Sequence, residues 1–162
     1  MRLFSVVAAL AFALDQITKA WIRGRLGVGD TLEFLPGLMH LEHVQNFGAA
    51  WGVLSGQKWL LIIFTTIVIA AIASSAREIC ARGRLGALGF GLILGGAVGN
   101  LFDRIVFGHV TDFFDLDTPF RVLQTFPVFN IADCALTVGV VLMVFSLLFS
   151  RPLPQPESVS HS

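Results

Sequence analysis

Four apolar stretches, residues 3–22, 59–76, 85–107 and 131–149, constrain this chain more than any other feature, because each approaches the length a helix needs to cross a bilayer. About 20 residues in a helix cover the ~30 Å of hydrocarbon, where the backbone must satisfy its own polar groups. Composition agrees: 55% of the 162 residues are hydrophobic and only 14% are charged, with a mean hydropathy of +0.78. The chain therefore reads as an all-α polytopic membrane protein, one domain over residues 1–150. The first stretch has Arg2 ahead of an apolar core and the small-residue pattern Ala11-Phe12-Ala13, as a cleavable signal peptide does. Its apolar pattern nevertheless runs past Asp15 through Ile17, Ala20, Trp21 and Ile22, which predicts a retained helix.

Charge decides orientation and excludes one function class. Eleven basic and eleven acidic residues balance to a formal net charge of zero, and no basic run offers a nucleic-acid face. Arg2 precedes the first stretch, Arg77, Arg82 and Arg84 crowd the connection between the second and third, and Arg151 follows the fourth. Such residues accumulate on the cytoplasmic side, so both termini are expected there. Lys19, Arg23 and Arg25 run against the rule at the far end of the first span. Two segments, 24–58 and 108–130, then fall on the outer face. In the first, Thr31 to Leu35 and Leu38 to Val44 flank Pro36-Gly37 and predict two short strands on the membrane surface. Residues 151–162, rich in proline and serine, are expected to form a disordered tail. Cys80, placed in the Arg-rich loop, and Cys134, in the last span, face opposite sides, so no disulfide is expected. His40 and His43 alone are too few for a metal site.

The polar residues that break into these stretches are the candidates for chemistry. Asp112 lies just beyond the third span and Asp133 just inside the fourth, behind Asn130. On antiparallel neighbouring helices the two carboxylates reach one depth, where they would share a proton; one could then activate water while the other polarises a carbonyl. The plainer reading makes Asp133 a helix-start carboxylate and Asp112 a loop residue. Asp115 and Asp117 compete but sit further into the loop, where solvation explains them. Asn100, Asp103 and Arg104 stand at i, i+3 and i+4 at the outer end of the third span, with Asp103 and Arg104 expected to neutralise each other. Asp15 and Lys19 form an i, i+4 pair. Gly91, Gly95 and Gly99 line one helix face and need no role beyond close packing. Residues Asn46 to Gly52 could be a re-entry turn anchored by Trp51, or a surface that admits an extended peptide. A proton relay through Asp15, Asp103, Asp112 and Asp133 is the competing, non-enzymatic use of these acids. Its weakness is that all four gather toward the outer side.

Taken together, the motifs resemble the lipoprotein signal peptidase family, also called signal peptidase II. They are, in order, Asp15-Gln16-Ile17-Thr18-Lys19; Asn46-Phe47-Gly48-Ala49-Ala50-Trp51-Gly52; Gly99-Asn100-Leu101-Phe102-Asp103-Arg104 continuing to Gly108-His109-Val110-Thr111-Asp112-Phe113; and Phe129-Asn130-Ile131-Ala132-Asp133. The resemblance implies four transmembrane helices with a small periplasmic β-sheet cradle in the bacterial inner membrane. It implies an aspartic endopeptidase without metal or cofactor, whose partners are membrane lipid and diacylglyceryl-modified prolipoproteins; separately, the chain is expected to act as a monomer. Such an enzyme cleaves the signal peptide just before the lipidated cysteine. Asp112 and Asp133 match the catalytic positions; Asn46, Gly48, Asn100, Asp103, Arg104 and Asn130 match positions that line or brace the site, and Asp15 and Lys19 match the first motif. Residues 114–124 follow no family pattern.

Overall fold

A computed structural model describes residues 1–81, 83–120, 123 and 125–149. The elements are α1 (Arg2–Arg25), β1 (Thr31–Leu35), β2 (Met39–Asn46), α2 (Lys58–Ala81), α3 (Arg84–Val106), β3 (Val110–Leu116) and α4 (Ile131–Phe149), with a short 3₁₀ turn at Ala50–Gly52. The four expected spans are all helices long and apolar enough to cross a membrane. α2 runs on to Ala81, so Cys80 belongs to its last turn and not to a loop. The reason is local: Ser75 to Ala81 contains no helix breaker, and glycine arrives only at Gly83. The expected tail, 151–162, and part of the 114–124 segment lie outside the described residues.

The surface explains the solvent. Leu10, Ile17, Trp59, Phe64 and Leu148 are all more than 60% exposed. Together with the other outward side chains of the helices they form an apolar surface far beyond what a water-soluble monomer carries, and hydrocarbon is the medium that accommodates it.

α3 is the hub, packing against each of the other helices. More than half of its apolar window is buried, 56% against 17–28% in the others. Its glycines make this possible. A methyl at Gly95 would stand 2.5 Å from the Ala8 carbonyl oxygen of α1, and one at Gly96 would stand 2.5 Å from the Ala132 oxygen of α4. Gly91, Gly95 and Gly99 all face α1, as the four-residue spacing suggests, while Gly89 and Gly96 face α4. With no hydrophobic drive between helices in lipid, such close backbone approach is what holds them together.

The sheet is antiparallel in the order β1-β2-β3. β1 and β2 are the hairpin expected around Pro36-Gly37, with Leu32 opposite Leu41. β3 is a third strand that the residue pattern did not suggest, because Val110-Thr111-Asp112-Phe113-Phe114-Asp115-Leu116 lacks apolar alternation and its partner is far away in sequence. Leu41 and Phe113 pack on Ile22 near the C-terminal end of α1, with Leu26 and Ile131 around them, and so seat the sheet on the helix ends.

Candidate active site

β3 is fastened on both edges. On one side Asp112 lies opposite Val44, with a register shift between Leu41 and Val44. On the other, Phe113 and Phe114 donate their backbone N–H groups to the Phe129 carbonyl at 3.0 and 2.8 Å, and Phe129 donates back to the Phe114 carbonyl at 3.1 Å. Phe129 immediately precedes Asn130 and the start of α4. This bridge therefore brings the strand carrying Asp112 to the helix N-terminus carrying Asp133.

At that terminus Asn130 and Asp133 cap each other. The Asp133 N–H donates to Asn130 Oδ1 at 3.0 Å, and the Asn130 N–H donates to Asp133 Oδ2 at 3.1 Å. This is a reciprocal capping box in which Asn and Asp replace the usual Ser/Thr and Glu. The helix-start reading of Asp133 is thus correct as local structure, and it leaves Oδ1 free to take a bond from Asn100 Nδ2 at 2.8 Å.

Asp112 is 2% exposed. Asn130 Nδ2 donates to its Oδ1 at 2.6 Å and Asn46 Nδ2 to its Oδ2 at 2.9 Å. Asn46 is oriented in turn by Gly48, whose N–H donates to Asn46 Oδ1 at 2.9 Å. Burial, and then the charge of Asp133, push the Asp112 carboxyl up to about 7, against the pull of Asn46, Asn130 and Lys19.

Both carboxylates line one cavity of about 620 Å³, together with Asn46, Asn100 and Arg104. Trp51, Phe126 and Phe129 add an aromatic wall, the Trp51 and Phe126 rings lying 6.0 Å apart. Asp115 and Asp117 are not part of it: Asp115 faces His40 across the sheet, and Asp117 Oδ2 lies 3.7 Å from His40 Nε2.

The expected Asp103–Arg104 pair does not form, since consecutive residues on a helix point about 100° apart. Arg104 instead donates to the Gly48 carbonyl at 2.8 Å and to the Asn100 carbonyl at 3.3 Å. Asp103 joins a buried cluster on the other side, with Lys19 Nζ 3.0 Å and Arg23 Nη1 3.9 Å away. The expected Asp15–Lys19 pair is present at 2.9 Å. Asp15 also accepts the Ala132 N–H at 3.0 Å, tying α1 to the first turn of α4.

Residue reading missed several contributors. Gln16 donates to Asp15 and Asp103, and Thr111 gives its N–H to Asp103 at 3.1 Å while accepting from Arg23 at 3.0 Å. Arg23 was discoverable, because 15, 19 and 23 fall on one helix face. The cavity-lining phenylalanines carried no such signal. Among the described residues no group of three or more His, Cys, Asp or Glu side chains is placed to hold a metal ion.

Two carboxylates line one cavity, and burial with the neighbouring Asp133 charge pushes the Asp112 carboxyl up to about 7, so a protonated carboxyl can stand beside a second carboxylate there. Such a pair supplies a base and an acid together, which suits attack of water on an unactivated carbonyl.

Comparison with known proteins shows the family to which the chain belongs. Residues 7–149 match the family model described as Signal peptidase (SPase) II. A lipoprotein signal peptidase of Nostoc punctiforme is 42% identical over 154 residues, covering 93% of this chain and 92% of that protein. One from Geobacillus thermodenitrificans is 40% identical over 147 residues, covering 91% and 90%. Two solved structures of bacterial membrane enzymes, obtained by the in meso method at 2.3 and 1.9 Å resolution, superpose with TM-scores of 0.81 and 0.79. Each is 34% identical to this chain; the first covers 88% of it and 85% of the solved chain, the second 89% and 91%.

Proposed function

The chain belongs to the signal peptidase II family, and from that premise we propose that it is a monomeric aspartic endopeptidase of the bacterial inner membrane. It removes the signal peptide from diacylglyceryl-modified prolipoproteins, cleaving just before the lipidated cysteine. Asp112 and Asp133 are the catalytic pair. The observation that carries this reading is their shared cavity, where helix ends meet sheet and both carboxylates are held by amide N–H donors.

The scissile amide lies between the two carboxyls with one water. The ionised carboxylate takes a proton as the water oxygen attacks the carbonyl carbon, and the protonated one donates to the carbonyl oxygen. In the resulting tetrahedral diol the leaving nitrogen receives a proton and the C–N bond breaks. The products are the carboxylic acid of the signal peptide and the amine of the lipidated cysteine. The two groups titrate as a pair.

Geometry also supports a lateral approach from the bilayer. The cavity wall continues down α4 through Leu136, Thr137 and Val138, and Val138 is half exposed on the apolar surface. Acyl chains can stay in hydrocarbon while the peptide reaches the carboxylates. The excess of Lys and Arg in the connection between α2 and α3 supports an orientation with both termini in the cytoplasm and the cavity near the periplasmic face.

The test is cleavage of a diacylglyceryl peptide by the purified protein. Loss of cleavage in Asp112→Asn and in Asp133→Asn is expected, with product mass placing the cut before the modified cysteine. Wild-type turnover by both variants overturns the reading.

A further inference from the structure

Lys19 is fully buried and takes no part in the cavity wall. Its ammonium has three N–H donors, and three acceptors stand within reach: Asp15 Oδ2 at 2.9 Å, Asp103 Oδ2 at 3.0 Å and Asn100 Oδ1 at 2.8 Å. Two carboxylates already balance its charge, so the third contact adds nothing to neutrality. What it does is orient Asn100.

A side-chain amide presents a carbonyl on one side and an NH₂ on the other. With an ammonium at Oδ1, the reversed orientation would set NH₂ against NH₃⁺. The Asn100 NH₂ is therefore committed to Asp133 Oδ1, at 2.8 Å. Asn100 Oδ1 also accepts from Asn130 Nδ2 at 3.2 Å, and that same NH₂ donates to Asp112 Oδ1 at 2.6 Å. One ammonium thus orders two amides, and each amide ends on a different member of the pair.

We propose that Lys19 is a positioning residue for hydrolysis: through Asn100 and Asn130 it holds amide N–H groups toward both Asp133 and Asp112, and so sets the pH range over which the pair keeps one proton. This rests on the reading of Asp112 and Asp133 as the hydrolytic pair. Hydrogen bonds in such a chain polarise one another, which carries the influence of the ammonium to groups it does not touch. Lys19 also draws the Asp112 carboxyl down, against burial and Asp133. The other charges around this network are Asp15 and Arg23 of α1, and Asp103 and Arg104 of α3. His109 lies within the field of Asp103, His43 and Arg23.

The experiment is the pH dependence of kcat/KM on a diacylglyceryl peptide. It compares wild type, Lys19→Met, and Lys19→Met/Asp15→Asn, in which one carboxylate leaves with the cation. Removing the ammonium that orders both amides weakens the N–H bonds that favour the ionised forms of Asp133 and Asp112, so both limbs of the profile are expected to move up by about one pH unit. A lower plateau with unmoved limbs is what a merely structural lysine would give, and it overturns the proposal. Asn100→Ser leaves the ion cluster in place and removes only the amide link; it should shift the limbs in the same direction and add little when combined with Lys19→Met. Fully additive shifts overturn transmission through Asn100, and if the Lys19 variants do not fold, an unmoved profile in folded Asn100→Ser overturns the proposal alone. Should Asp112→Asn and Asp133→Asn keep turnover, the pair itself is refuted; should they be inactive while the limbs stay put, only the role of Lys19 is refuted.

Discussion

Replacing Gly96 by alanine tests the link between helix packing and chemistry. The new methyl would lie 2.5 Å from the Ala132 carbonyl oxygen and 3.1 Å from Leu136 Cγ. A normal carbon–oxygen approach is about 3.3 Å or more, and the oxygen belongs to backbone, so no rotamer change relieves the clash. α3 and α4 must separate by about 0.8 Å to reach that approach. Asn100, one turn further along α3, holds Asp133 of α4 through a bond of 2.8 Å. The same separation stretches it to about 3.6 Å, outside hydrogen-bond range. Alanine favours helix over glycine by about 1 kcal/mol, whereas overpacking a close interface costs about 1–3 kcal/mol. Overpacking wins, and a modest loss of stability follows. Activity suffers more, because a displacement approaching 1 Å at a reacting group costs about 10²-fold in rate. The assay pairs kcat on a lipopeptide with the melting temperature in the same bicelles. Gly24→Ala is the control, since a methyl there meets nothing within 4 Å. Wild-type kcat in Gly96→Ala would refute the claim that this glycine contact sets the carboxylate geometry.

Stability should oppose activity at Asp112. Its carboxyl is pushed up to about 7, so the folded state binds that proton more tightly than the unfolded one; stability is fullest below the ordinary carboxylate range and declines as pH rises toward 7. At about 1.4 kcal/mol per pH unit, the penalty at pH 8 is about 4 kcal/mol, so Asp112→Asn, although expected to be inactive, should melt higher than wild type at pH 8 by a margin that narrows toward pH 5; parallel melting curves count against it. Asn130→Ser keeps a helix cap but cannot span to Asp112, so it should lose little stability, within about 1 kcal/mol, while cleavage falls about 10²-fold or more. Equal losses in Asn130→Ser and Asn130→Ala would assign Asn130 to reach alone, and unchanged cleavage in Asn130→Ser would remove it from the site. Chelators should leave cleavage intact, because the carboxyls provide both acid and base; inhibition reversed by added zinc would contradict the proposed chemistry.

Much of this was legible in one dimension because it depends on near neighbours. Helix spans follow from apolar length, the β1–β2 hairpin from Pro36-Gly37, the Asp15–Lys19 pair from i, i+4 spacing and the α1-facing glycines from their period of four. Each involves residues a few positions apart, where backbone geometry leaves little choice. The resemblance to a family added residue identities, since four motifs in order mark positions without saying what touches what. β3 was not legible: a strand of mixed polarity exists because Asn46 to Met39 and Phe129 pair with it, and non-local pairing leaves no local trace.

The same division runs through the site. The sequence by itself determined that ionisable groups would gather toward one end of the apolar helices, because lipid tolerates them only in clusters and near an interface. Adjacency on paper suggested that Asp103 pairs with Arg104; three-dimensional packing sent Asp103 to Lys19 and Arg104 to the Gly48 carbonyl. Only the tertiary structure decided which amide faces which carboxylate, because those bonds join α1, α3, α4 and the sheet. Orientation of a side-chain amide depends on the donor at its far end, and here that donor is Lys19, 81 positions away from Asn100.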